Sequence, residues 1–136
     1  MDIEALPTSE ELYPDGKVIL NESFRHDNNL IGYNATVAGK EIGTIELLYF
    51  PDKKEVQVDW VYVTQEKKGY GKQMYRQVPT LPLPDGSDFT ESGYRFVSSP
   101  DINWESNGLW ESLAKNGEAR LLDNGQYEFV IQVPEN

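Results

Sequence analysis

The chain contains no cysteine. That removes disulfides, thiolate metal sites and a thiol nucleophile at once. Its single histidine, His26, is too little for a histidine-built metal centre. Ser23, His26 and Asp27 crowd into one turn region and do not suggest a catalytic triad. No apolar run approaches the roughly 18 residues that a membrane-spanning helix requires. The start, Met1-Asp2-Ile3-Glu4-Ala5-Leu6-Pro7, has neither the basic opening nor the apolar run of a secretory signal. Basic residues are also scarce, 12 against 23 acidic ones, for a net charge of −11. Such a surface repels nucleic-acid phosphates and acidic membranes, and it attracts cations, amines and basic proteins. These absences predict a cytoplasmic protein with no metal and with neither nucleic acid nor membrane as partner. The charge would also suit a mimic of DNA, but dense acidic runs are missing.

What is present suffices for a packed core. With 136 residues, 38% of them hydrophobic, the chain has the size of one compact domain. Residues 1–15 are acidic, carry Pro7 and Pro14, and read as a loose lead-in; residues 16–136 read as a single domain. Val18–Phe24 has strand composition, and Leu30–Val37 and Glu41–Phe50 form a hairpin across Ala38-Gly39-Lys40. Glu55–Thr64 follows as a fourth strand of an antiparallel meander. Within it Val56, Val58, Trp60 and Tyr62 alternate with Gln57, Asp59, Val61 and Val63, so the end is apolar on both faces, as in a strand buried between layers. Trp60 and Trp104 read as core or groove walls.

A helix is predicted from Tyr70, with Met74 and Val78 at i, i+4 spacing, cut short by Pro79. A Pro-rich surface loop, residues 79–88, leads to a fifth strand, Tyr94–Val97. Ser99-Pro100 offers an N-cap and first-turn proline for a second helix that Gly117 ends. Ala119–Leu122 and Gln126–Val133 close the chain as a hairpin around Asp123-Asn124-Gly125. The fold class is α+β.

The strongest chemical signal lies between the fourth strand and the first helix. Gln65-Glu66-Lys67-Lys68-Gly69-Tyr70-Gly71-Lys72 is a glycine-bearing loop opening a helix. Unpaired amides, the helix dipole and three lysines make such a loop an anion site in an otherwise acidic chain. Gly69 and Gly71 would let a pyrophosphate approach the backbone without a Cβ in the way. The spacing matches neither the P-loop nor the three-glycine dinucleotide fingerprint. Taken alone, a Gly-x-Gly also reads as an ordinary turn.

Three segments together resemble the GNAT superfamily of acyl-CoA-dependent N-acyltransferases. The hairpin Ala38-Gly39-Lys40-Glu41-Ile42-Gly43-Thr44-Ile45 is similar to the family's second and third strands, with their polar turn and Ile/Val-Gly pair. Val61-Tyr62-Val63 with Glu66 through Met74 resembles the signature strand and its Arg/Gln-x-x-Gly-x-Gly/Ala loop. Asn103-x-x-Ser106-x-x-Leu109-Trp110 falls at the spacing of the later Asn-x-x-Ala-x-x-Leu-Tyr motif. The resemblance implies a mostly antiparallel mixed sheet with helices packed on it, splayed between the fourth and fifth strands. It implies acetyl-CoA as acyl donor, held by the backbone of Val61, Tyr62 and Val63, by the amides of Lys67, Lys68, Gly69, Tyr70, Gly71 and Lys72, and by Asn103. It implies transfer to an amine, and the acidic surface suits a cationic acceptor on a small molecule or a basic protein. Family members are often dimers, so a homodimer is compatible with the resemblance.

The departures bear on catalysis. Glu66 occupies the usual Arg/Gln place when the glycines are aligned; Lys68 occupies it when the count runs from Val63. Trp110 stands where the family has its tyrosine acid, and an indole N–H donates a hydrogen bond without being a proton source. Asp59, and more weakly Glu46, are the candidate bases, each against the plain alternative of a solvated strand residue. Tyr75 and Tyr94 are the candidate replacement acids, each against the alternative of a packing aromatic. The second reading is a GNAT-like binding module without catalysis.

Overall fold

The computed structural model describes residues 17–27, 29–64, 69–100 and 104–131, with side chains from 108 onward in the last segment. The strands are β1 (Val18–His26), β2 (Leu30–Val37), β3 (Lys40–Phe50), β4 (Glu55–Val63), β5 (Arg95–Val97), β6 (Ala119–Leu121) and β7 (Tyr127–Phe129). The helices are α1 (Tyr70–Gln77), continued by a short 3₁₀ turn over Val78–Thr80, and α2 (Trp104–Lys115). The strands form one seven-stranded sheet in the order β1-β2-β3-β4-β5-β7-β6, antiparallel except for the β4–β5 pair. This is the mostly antiparallel α+β arrangement expected from the sequence.

Local chemistry accounts for the turns. Ala38 and Gly39, with φ of 53° and 82°, make the tight link between β2 and β3. Pro79 enters the 3₁₀ turn and ends α1 after Gln77. Gly117, at φ 79°, ends α2: its N–H donates to the Ala114 carbonyl, and the Glu118 N–H donates to Leu113 at 2.8 Å. That pair of bonds is the left-handed glycine cap expected for a helix C-terminus. The start of α2 at Trp104 differs from the expectation, since Ser99-Pro100 lies before the helix and does not cap it.

Both helices pack on one face of the sheet. Ile45, Leu47, Val56, Val58 and Phe96 meet Tyr70, Met74, Tyr75, Trp110 and Leu113 in a single buried cluster. At its centre Tyr75, Phe96 and Trp110 have ring centroids 5.1–5.5 Å apart, and Trp110 stacks on Tyr127. Edge strand β1 is fastened to α1 by two glutamines. The Val18 N–H donates to Gln73 Oε1 at 3.1 Å, and Gln77 Nε2 donates to the Val18 carbonyl at 2.6 Å. Arg76 on α1 makes a paired contact with Glu118 at 2.7 and 3.0 Å, tying the helix to the start of the last hairpin. No helix among the described residues is long and apolar enough to cross a membrane.

Candidate active site

The site begins with a β-bulge. Along β3 and β4, Glu46 pairs with Trp60 and Leu47 with Val58, which leaves Asp59 as the extra residue on β4. The bulge inverts the alternation of the strand. Val56 and Val58 face the core; beyond the bulge Val61 and Val63, opposite Ile45 and Gly43, take over that face. Asp59, Trp60 and Tyr62 are turned to the other side and are exposed, Trp60 by 53% and Tyr62 by 54%. The apolar end of β4 is therefore not buried between layers, and Trp60 is no core residue. Two apolar sets a bulge apart give the same run of letters as a doubly buried strand.

The bulge also opens the sheet. β4 and β5 run side by side only from Glu55–Gln57 against Arg95–Val97. Past that point β5 is held by β7 instead: the Ser98 N–H donates to Tyr127 O and the Tyr127 N–H to Ser98 Oγ, both at 2.8 Å. Buried Ser98 thus draws β5 away, while the bulge redirects β4. The stretch Asp59–Val63 is left without a strand partner on its β5 side. On the other side the Thr64 N–H donates to Ile42 O at 2.9 Å. Because backbone groups alternate along a strand, the N–H and C=O of Val61 and Val63 point into the opening. Gly43 lets β3 close on this segment, since a Cβ there would collide with the Tyr62 carbonyl oxygen.

Near this opening begins α1. Its N-cap is Gly69 in the left-handed conformation, φ 77°, with no side-chain cap and no acidic residue in the first turn. The Gln73 N–H donates back to Gly69 O, so the Gly71 and Lys72 amides precede the helical ladder. A helix start without a capping carboxylate, and with Lys72 in its first turn, is an anion-binding end.

A scan of protein-family models gives no match, and no curated protein matches by sequence. Solved structures do match. The chain superposes on the putative N-acetyl transferase YhhK from E. coli, solved bound to coenzyme A, with a TM-score of 0.52 and 14% identity over 79% of this chain and 77% of that one. It superposes on the Salmonella typhimurium acetyl transferase that modifies the N-terminal serine of 50S ribosomal subunit protein L7/L12, with a TM-score of 0.51 and 15% identity over 76% and 65%. The fold is that of the GNAT acetyltransferases. An acetyltransferase from Thermus thermophilus aligns at TM-score 0.48 and 10% identity, over 75% of this chain but 62% of its own. The chain therefore spans less than two thirds of two of these relatives.

On this GNAT framework the expected site residues separate clearly. Asp59 and Glu46 are brought together at the bulge, on the same face as Trp60. Val61, Tyr62 and Val63 form the open edge, and Gly69, Tyr70 and Lys72 the helix start. Gly71 is different: it is buried, and a Cβ on it would stand 2.9 Å from Leu109 Cδ2 of α2. Its missing side chain serves the approach of the two helices, not of a phosphate. Tyr75, expected as an acid, is fully buried among Phe96 and Trp110, where it packs and meets no incoming group. Trp110 is likewise core rather than site. Tyr94 packs on Phe89 at 5.9 Å. Lys67, Lys68 and Asn103 lie outside the described residues. Sequence reasoning overlooked the Trp60 and Tyr62 side chains as site surface; the signal was the failure of alternation at Asp59.

Proposed function

We propose that the protein is an acyl-CoA-dependent N-acyltransferase, with acetyl-CoA as donor and a primary amine on a cationic molecule or basic protein as acceptor. The observation that carries this reading is the unpaired β4 edge beside an uncapped helix start. Such an edge offers alternating amide and carbonyl groups to the amides of a pantetheine arm, as a strand would to its neighbour. The Gly71 and Lys72 amides and the Lys72 ammonium suit the pyrophosphate. The donor supplies an acyl group activated as a thioester. Asp59 and Glu46, beside the bulge where the edge opens, take the proton from the attacking amine, directly or through water. The YhhK superposition, from a protein bound to coenzyme A, supports the donor class. A chain with no cysteine suits the cytoplasm, where disulfides do not persist.

The test is thiol release from acetyl-CoA in the presence of lysine peptides and spermidine. Amine-dependent release, reduced about 100-fold in Asp59→Asn or Glu46→Gln with little change in donor affinity, supports the reading. Donor binding with no release for any amine would leave a binding module on the same fold.

A further inference from the structure

The face of β1–β4 away from the helices has no described element over it, yet it is far from plain. One cross-strand row, Phe24–Gly32–Glu46–Trp60, spans all four strands. Gly32 has no Cβ, and the Phe24 ring lies over it so closely that a methyl there would collide with the ring. Tyr62 follows in the next row, beside Thr44. The bulge turns Asp59 out on the same side. Two carboxylates are thus bordered by aromatic side chains that are 42% (Phe24), 53% (Trp60) and 54% (Tyr62) exposed. Directly opposed residues on neighbouring strands lie about 4.5–5.5 Å apart, so one ligand group can reach several of them.

The charge pattern selects the ligand. Glu22, Glu118, Glu55 and Glu128 are already paired with Arg25, Arg76, Arg95 and Arg120. Glu46 and Asp59 pair with no cation among the described residues. A carboxylate beside aromatic faces is the surface that recognises an ammonium on an alkyl stem: the head meets the charge and the ring faces, and the methylenes lie along the rings. A second copy of this chain would bring its own −11 to the face and be repelled. A small polyamine is held best by a concavity that buries most of its surface. An open sheet face four strands wide suits a polypeptide.

We propose that this face docks a lysine-bearing segment of a basic protein, with one lysine ammonium seated at Glu46 and Asp59 between Phe24 and Trp60. The inference rests on the uncovered face and its unpaired charge. It stands whether or not an acyl group is transferred, and loss of coenzyme A binding would not touch it.

The probe is a short fluorescein-labelled oligolysine peptide, followed by anisotropy on the full chain without coenzyme A. Binding should weaken about tenfold in Trp60→Ala and in Glu46→Gln/Asp59→Asn, but by no more than about twofold in Glu91→Gln/Asp123→Asn, which removes the same charge elsewhere. Should a variant fail to fold, peptide-induced shifts of the wild-type Trp60 indole and Gly32 amide give the same answer by NMR. Equal weakening in both double variants, or wild-type shifts that avoid this face, would reduce the interaction to diffuse electrostatics and overturn the proposal. So would sedimentation showing a dimer that Trp60→Ala dissociates, or displacement of the peptide by spermidine at equal concentration.

Discussion

Gly43→Ala perturbs the sheet at the point where the site opens. A methyl at this position meets the Tyr62 carbonyl oxygen and would stand 3.2 Å from Val63 Cα, both backbone atoms of β4. A flexible side chain could swing aside; a ladder strand moves only by breaking its hydrogen bonds. Gly43 is not among the glycines at positive φ, so the cost is steric rather than conformational. Overpacking costs about 1–3 kcal/mol, and each ladder bond lost adds about 1 kcal/mol. The sum is about 2–4 kcal/mol, which in a chain of this size lowers the melting temperature by roughly 10 °C. Gly39→Ala is the matched control. Gly39 has φ 82° and open space around the position of its Cβ, so only left-handed strain, about 1–2 kcal/mol, is expected. Urea titrations of the two variants, followed by circular dichroism, measure the difference. If Gly43→Ala is no more destabilising than Gly39→Ala, the close approach of β3 and β4 is wrong.

Three further outcomes follow from the same geometry. Gln73→Ala and Gln77→Ala should each cost about 1 kcal/mol and speed hydrogen exchange at the start of β1, because each removes a bond to Val18. Acid should unfold the protein partly through Glu118 and Glu128. The hydrogen bond from Arg76 holds the Glu118 carboxyl below its ordinary value; at Glu128 burial pushes upward, and the bonds from Arg95 and Arg120 outweigh it. Groups with lowered native values stabilise the fold above the ordinary carboxylate pKa of about 4.3 and lose that contribution as pH falls through the native values. Glu118→Gln/Glu128→Gln should therefore flatten the fall of melting temperature below that pH, and an unchanged acid limb would contradict the assignment. Gly69→Glu, which places a carboxylate at the start of α1, should weaken coenzyme A binding by at least about tenfold in calorimetry while leaving the fold near wild-type stability.

Much of the architecture was legible because it is written locally. Ala38-Gly39 and Asp123-Asn124-Gly125 mark their hairpins, Pro79 and Gly117 stop their helices, and strand composition marks the meander. The order of elements, with the Ile42-Gly43 pair and the Gly69 loop, carried the resemblance to the GNAT fold that superposition bears out. What was missed depends on partners distant in sequence. The bulge at Asp59 exists only against β3, so Trp60 and Tyr62 could not be assigned a face from their own strand. Gly71 stands beside a lysine-rich loop, but the atom that needs its missing Cβ belongs to Leu109. Tyr75 and Trp110 occupy spacings that suggest chemistry, yet the aromatic cluster around Phe96 claims both. Ser99-Pro100 has the composition of a cap, but the helix begins at Trp104.

The central claim is that the open edge of β4 and the start of α1 receive an acyl-CoA. An NMR titration of the isotopically labelled protein with coenzyme A tests it most directly. The account predicts saturable shifts at the Val61, Val63, Gly69, Gly71 and Lys72 amides, abolished by Gly69→Glu, with the last hairpin unmoved. Shifts confined to other residues, or none up to millimolar ligand, would contradict it.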